Sequence, residues 1–88
     1  MAPVYEVQWL PKASKELKSL PADVQTALLD AADALALDPY PPRCKKLKGS
    51  KNGERRVRVG DYRLIYVVDG KAVLISVTRV GDRKDIYG

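Results

Sequence analysis

Four arginines stand in residues 54–66, which read ERRVRVGDYRLIY. The segment alternates, so Arg56 and Arg58 share one side while Val57 and Val59 share the other, as the two-residue period of a strand requires. Gly60-Asp61 is a two-residue turn signal with glycine first, the type II′ pattern. It sets Val59 opposite Tyr62, Arg58 opposite Arg63 and Val57 opposite Leu64, and brings Arg56, Arg58 and Arg63 onto one face. Like charges directly across a strand pair are destabilising, so Arg58 against Arg63 makes sense mainly if something anionic lies between them. A solvated strand face is the plainer alternative for any single arginine. Just upstream, Arg43, Lys45, Lys46, Lys48 and Lys51 place five basic residues in nine positions. Such a run is often only flexible surface, but beside an arginine hairpin it reads as further phosphate contact.

The rest of the side-chain inventory narrows the chemistry. The chain has no histidine, which removes paired-imidazole ribonuclease chemistry and any serine triad that relies on a histidine base. With one cysteine, Cys44, and no histidine, a zinc site is nearly excluded and an internal disulfide is impossible. Glu54, Asp61, Asp69 and Asp82 fall at loops or turns, without the clustering of a two-metal or glycosidase site. What remains is cationic chemistry that needs no cofactor. Arginines can bind a scissile phosphate and stabilise its extra negative charge in the transition state, and a tyrosine such as Tyr87 can donate a proton to a leaving oxygen. From residue type alone, Tyr87 is more simply an aromatic filling an apolar gap.

These groups need a scaffold, and 88 residues supply a single domain, 1–88, with one modest core between two layers. The net charge of +5 conceals an asymmetry. Residues 1–40 carry three lysines against six carboxylates, and residues 41–88 carry thirteen Lys or Arg against five. The second part is the polyanion-binding half. No run is long and apolar enough for a membrane span, and the N-terminus has neither a basic nor an apolar signal region, so a cytoplasmic protein without membrane partners is expected.

In order, residues 3–9 alternate as a strand with Tyr5, Val7 and Trp9 on one face. Pro11 opens a helix to about residue 19 with Ala13, Leu17 and Leu20 inward. Leu20-Pro21 precedes a longer helix whose inward stripe is Val24, Leu28, Ala31 and Leu35, widened by Ala27 and Ala34, and Asp38-Pro39 ends it. Leu29 and Leu37 lie off that stripe. Residues 40–53 read as loop. After the hairpin, Asp69-Gly70 signals a type I′ turn into a last strand over 72–79, setting Tyr66 opposite Val73, Leu64 opposite Ile75 and Tyr62 opposite Val77. The expected core face is Val57, Val59, Leu64, Tyr66, Val73, Ile75 and Val77. The other face mixes the arginines with Ile65, Val67, Ala72 and Leu74, an apolar patch that calls for cover by the tail or a partner.

The element order, LKG at 47–49, RVRVGDYRLIY at 56–66 and RVGDRKDIY at 79–87 together resemble the RelE/ParE superfamily of bacterial and archaeal type II toxins over nearly the whole chain. The resemblance implies an α+β fold, β-α-α-β-β-β, in which two N-terminal helices pack on a mainly antiparallel sheet of the RelE-like, microbial-RNase type. For the RelE branch it implies ribosome-dependent cleavage of messenger RNA in the A site, by attack of a ribose 2′-OH on the neighbouring phosphate. Arg56 and Arg58 fall where well-known members carry lysine, Arg63 on the family's strand arginine, and Arg83 and Tyr87 on its tail arginine and tyrosine. Arginine does not readily give up a proton, so either a nearby lysine, such as Lys84, serves as general base, or the site works mostly by holding the RNA in line and neutralising charge. Arg43, Lys45, Lys46, Lys48, Lys51 and Lys84 are the expected RNA and ribosome contacts. Implied partners are a cognate acidic antitoxin, the ribosome with its messenger RNA, and operator DNA through the antitoxin complex. A ParE-like gyrase-inhibiting toxin and a noncatalytic RNA-binding or operon-regulating module remain as alternatives.

Overall fold

A computed structural model describes residues 4–82. Strand β1 (Glu6–Trp9) leads into helices α1 (Pro11–Lys18) and α2 (Ala22–Leu37), followed by β2 (Lys45–Lys46), β3 (Arg55–Val59), β4 (Tyr62–Asp69) and β5 (Leu74–Asp82). The strands form one sheet in the order β1-β5-β4-β3-β2. Only the β1–β5 pairing is parallel, so the sheet is mixed and mainly antiparallel. Both helices lie on one face of it.

Proline sets both helix starts. Leu10 is extended ahead of Pro11, and Pro21, also extended, takes the cap position of α2. Gln25 ties the two helices by donating Nε2–H to the Leu20 carbonyl at 2.8 Å. Asp38 leaves the helix in an extended conformation before Pro39, as that dipeptide predicts. The core joins Ala13 and Leu17 of α1 and Leu28, Ala32 and Leu35 of α2 to Val57, Leu64, Tyr66, Ile75, Val77 and Val80 of the sheet. Tyr5, Val7 and Trp9 pack against it, as their alternation predicts. The α2 stripe is rotated from the expected one: Ala27 and Ala34 are exposed, and Ala32 and Ala36 take the inward positions. Leu29 and Leu37 stand in solvent.

Three parts of the sheet depart from expectation. Lys45–Lys46 is an edge strand inside the expected loop, paired to Arg56 and Arg55 and closed by Leu47 N–H donating to the Glu54 carbonyl at 2.9 Å. Second, the β4–β5 connection is no two-residue turn. The Asp69 carboxylate accepts from the N–H groups of Lys71 and Ala72, both at 3.0 Å, and Val73 takes a left-handed φ of 53°. Ala72 and Val73 therefore belong to the loop, and Tyr66 pairs with Val77 and Val68 with Ile75. This register differs from the expected one by an even number of residues, so Ile75 and Val77 still face inward. Third, a bulge between Ile65 and Tyr66 brings Val80 into the core, and the strand continues to Asp82 rather than ending at Arg79. Among the described residues, no helix is long and apolar enough to cross a membrane.

Candidate functional site

The hairpin of β3 and β4 is as its sequence predicts. Val59 faces Tyr62, Arg58 faces Arg63 and Val57 faces Leu64, and Gly60 takes the left-handed φ of 62° that the first turn position of a type II′ turn demands. Because Val57 and Leu64 are in the core, Arg58 and Arg63 lie on the face away from the helices.

Two rows of side chains cross that outer face. In one, Lys45 is directly opposite Arg56, Arg56 opposite Ile65, and Ile65 opposite Arg79. In the other, Arg58 is opposite Arg63 and Arg63 opposite Gly81. Lys45, Arg56, Arg58 and Arg63 thus make one contiguous cationic patch. Its members differ in depth: Arg58 is exposed, whereas Arg63 retains only 6% of its accessible surface. The partner of Arg63 on β5, Gly81, carries no side chain. Ile65 is buried as well, at 3%, while Val67 and Leu74 are half-buried, so this face is a floor of apolar side chains with guanidinium groups set into it.

The segment that delivers Lys45 is fastened from the helix side. Tyr66, fully buried, donates its hydroxyl to the Pro39 carbonyl at 2.8 Å. Burial first, and the neighbouring Cys44 second, push this phenol well above its ordinary range. Arg55, pointing to the opposite side from Arg56, donates to Cys44 Sγ at 3.4 Å and lies over the Tyr40 ring, 4.7 Å from its centre. These contacts hold residues 39–44 against the sheet edge, and Lys45 enters β2 already beside Arg56.

The remaining basic positions are dispersed. Lys46 is opposite Arg55, on the other side of the strand from Lys45. Lys48 and Lys51 are exposed in the turns that follow. Arg43 lines an apolar groove of about 210 Å³ between α2 and β3, with Ala31, Leu35, Pro41 and Val57, on the helix side and away from the arginine patch. Arg83, Lys84 and Tyr87 lie outside the described residues. The strand pairing of Lys45 was invisible in the sequence, where KK carries no apolar alternation. Chemically, the patch can hold a phosphodiester and neutralise charge on it. Its guanidinium groups cannot serve as bases.

A sequence model described as the ParE toxin of the type II toxin-antitoxin system, parDE, matches residues 7–87. The chain belongs to this toxin family. The matched span runs through the tail positions Arg83, Lys84 and Tyr87. The toxin is 32% identical over 84 residues to Toxin RelG of Mycobacterium tuberculosis, a match that covers 94% of this chain and 95% of the relative. Its fold is similar to that of a chain in the RelBE2 toxin-antitoxin complex from the same organism, with a TM-score of 0.82 and 29% identity over 93% of this chain and 100% of that one. It is also similar to a chain of the archaeal RelE-RelB complex from Pyrococcus horikoshii, with a TM-score of 0.78 and 32% identity over 91% and 96% of the two chains. The toxin is thus a RelE/ParE superfamily member with two helices on a five-stranded sheet.

Proposed function

We propose that the toxin is a ribosome-dependent endoribonuclease that cuts messenger RNA in the A site and so stops translation. The observation that carries this reading is the outer-face patch, with Lys45, Arg56, Arg58 and Arg63 in adjoining register positions and Arg63 sunk into the surface. A fixed, largely desolvated guanidinium is suited to stabilising charge that develops on a phosphate. In the reaction the ribose 2′-oxygen bonds to phosphorus, the bond to the 5′-oxygen breaks, and a proton passes from the 2′-OH to a base while another reaches the leaving oxygen. The arginines hold the phosphate in line and neutralise it, and Arg83 and Tyr87 complete the site, Tyr87 as proton donor. Lys45, opposite Arg56 in the sheet, and Lys84, next to Arg83 in the sequence, are the candidate amine bases. RNA geometry comes from the ribosome, which offsets the lack of a strong base. A cognate acidic antitoxin neutralises the toxin by covering this basic surface, and operator DNA is reached through that complex. Similarity to RelG and to the RelE-RelB and RelBE2 complexes supports the reading.

The match to the ParE model favours a second reading, gyrase inhibition. One comparison separates them. Purified toxin is given a programmed ribosome, the same messenger free in solution, and gyrase with relaxed plasmid. Cleavage confined to the ribosome-bound messenger is expected. Loss of supercoiling without cleavage would replace this reading with the gyrase one, and binding to RNA without either would leave a noncatalytic module.

A further inference from the structure

β5 outlives its parallel neighbour. β1 ends at Trp9, in register with Val77, and Leu10 N–H donates to the Val77 carbonyl at 3.0 Å before the chain turns into α1. β5 nevertheless runs on to Asp82. Along that stretch a side chain from α1 stands in for the missing strand. Glu16 Oε2 accepts from Arg79 Nη2 at 2.9 Å, and Glu16 Oε1 accepts from the backbone N–H of Val80 at 3.3 Å.

The contact sits directly after the β5 bulge. Tyr66 pairs with Val77 and Ile65 with Arg79, so Thr78 is the extra residue, and its hydroxyl donates to the Ile65 carbonyl at 3.2 Å. The bulge changes the phase of the strand, putting Val80 in the core and Gly81 opposite Arg63. A slip of one residue would exchange those faces, setting the Val80 side chain against Arg63. The ion pair keeps contact with solvent, its side chains being 34% and 24% exposed, and pairs of that kind add little net stability. Its consequence is geometric.

We propose that Glu16 is a positioning residue. By gripping Arg79 and the Val80 N–H it fixes the phase of the end of β5, so that Gly81 stays across from Arg63 and the chain reaches Arg83 from a fixed strand end. The effect on catalysis rests on the ribonuclease reading, whereas the hold on β5 does not.

The test therefore pairs two readouts on Glu16→Ala, Glu16→Gln, Arg79→Ala and the double alanine variant. Amide exchange at Val80 and Gly81 is expected to quicken by about tenfold or more in Glu16→Ala, with Leu64 unchanged, as for a local opening. The single-turnover rate at saturating programmed ribosomes should fall on the order of 100-fold, with ribosome affinity unaltered. Glu16→Gln, which keeps an acceptor for the Val80 N–H, should recover part of both, and the double variant should be no worse than Glu16→Ala alone. Unchanged exchange overturns the proposal, as does faster exchange with a wild-type rate, or additive losses. If the wild-type toxin cuts nothing on the ribosome, the ribonuclease reading falls, and exchange alone decides whether Glu16 holds the strand.

Discussion

Arg58 and Arg63 face each other across one strand pair, yet they are differently placed: Arg58 is in solvent and Arg63 is buried beside Gly81. A guanidinium in water acts mainly as a charge, so Arg58→Lys and Arg56→Lys should each keep the single-turnover rate within roughly tenfold of wild type, since charge survives and only the planar fork is lost. The alanine variants at the same positions should fall further. Tyr87→Phe deletes one hydroxyl and keeps the ring. If that hydroxyl protonates the leaving oxygen, the saturated rate drops roughly 100-fold, with ribosome affinity and circular dichroism unchanged. A wild-type rate in this variant would reduce Tyr87 to a packing residue.

At the scale of elements, the site depends on how residues 39–45 are fastened, and Tyr66 is the fastener. Tyr66→Phe leaves the Pro39 carbonyl without its 2.8 Å donor, at a cost of about 1 to 3 kcal/mol in urea unfolding. The folded chain also holds the Tyr66 proton more tightly than the unfolded chain, because burial raises its pKa. Its contribution to stability is therefore full below the ordinary phenol value of about 10 and is lost as pH rises beyond it. Tyr66→Phe should flatten that alkaline slope in denaturation curves collected across it. The hairpin was legible from sequence because Gly60-Asp61 and the flanking alternation leave one register. The next turn was not, because Asp69 uses its side chain to build a longer loop than Asp69-Gly70 implies. Ile75 and Val77 kept their inward places through an even register shift, whereas Val73, expected on the core face, lies in the loop. The pairing of Lys45 with Arg56, and that of Glu16 with Arg79, 63 residues apart, leave no local mark in a sequence.

Over the whole molecule, the cationic half divides into a site and a surround. Lys45 sits opposite Arg56, whereas Lys46 turns away and Lys48 is an exposed turn residue. Charge reversal at Lys46 and Lys48 should flatten the salt dependence of ribosome binding by about one unit of slope per lost phosphate contact, and leave the saturated single-turnover rate almost unaltered. A lowered rate would put these lysines in the chemistry. The same distribution invites a partner of opposite charge, an acidic antitoxin segment that orders as it binds. The claim at the centre is that the outer-face arginines act on a phosphate in its transition state, and Arg63→Ala tests it most directly. On saturating programmed ribosomes its single-turnover cleavage rate should fall roughly 100-fold to 1,000-fold, the usual cost of removing a donor aimed at developing charge, with ribosome affinity close to wild type. Cleavage at the wild-type rate by folded Arg63→Ala would contradict it.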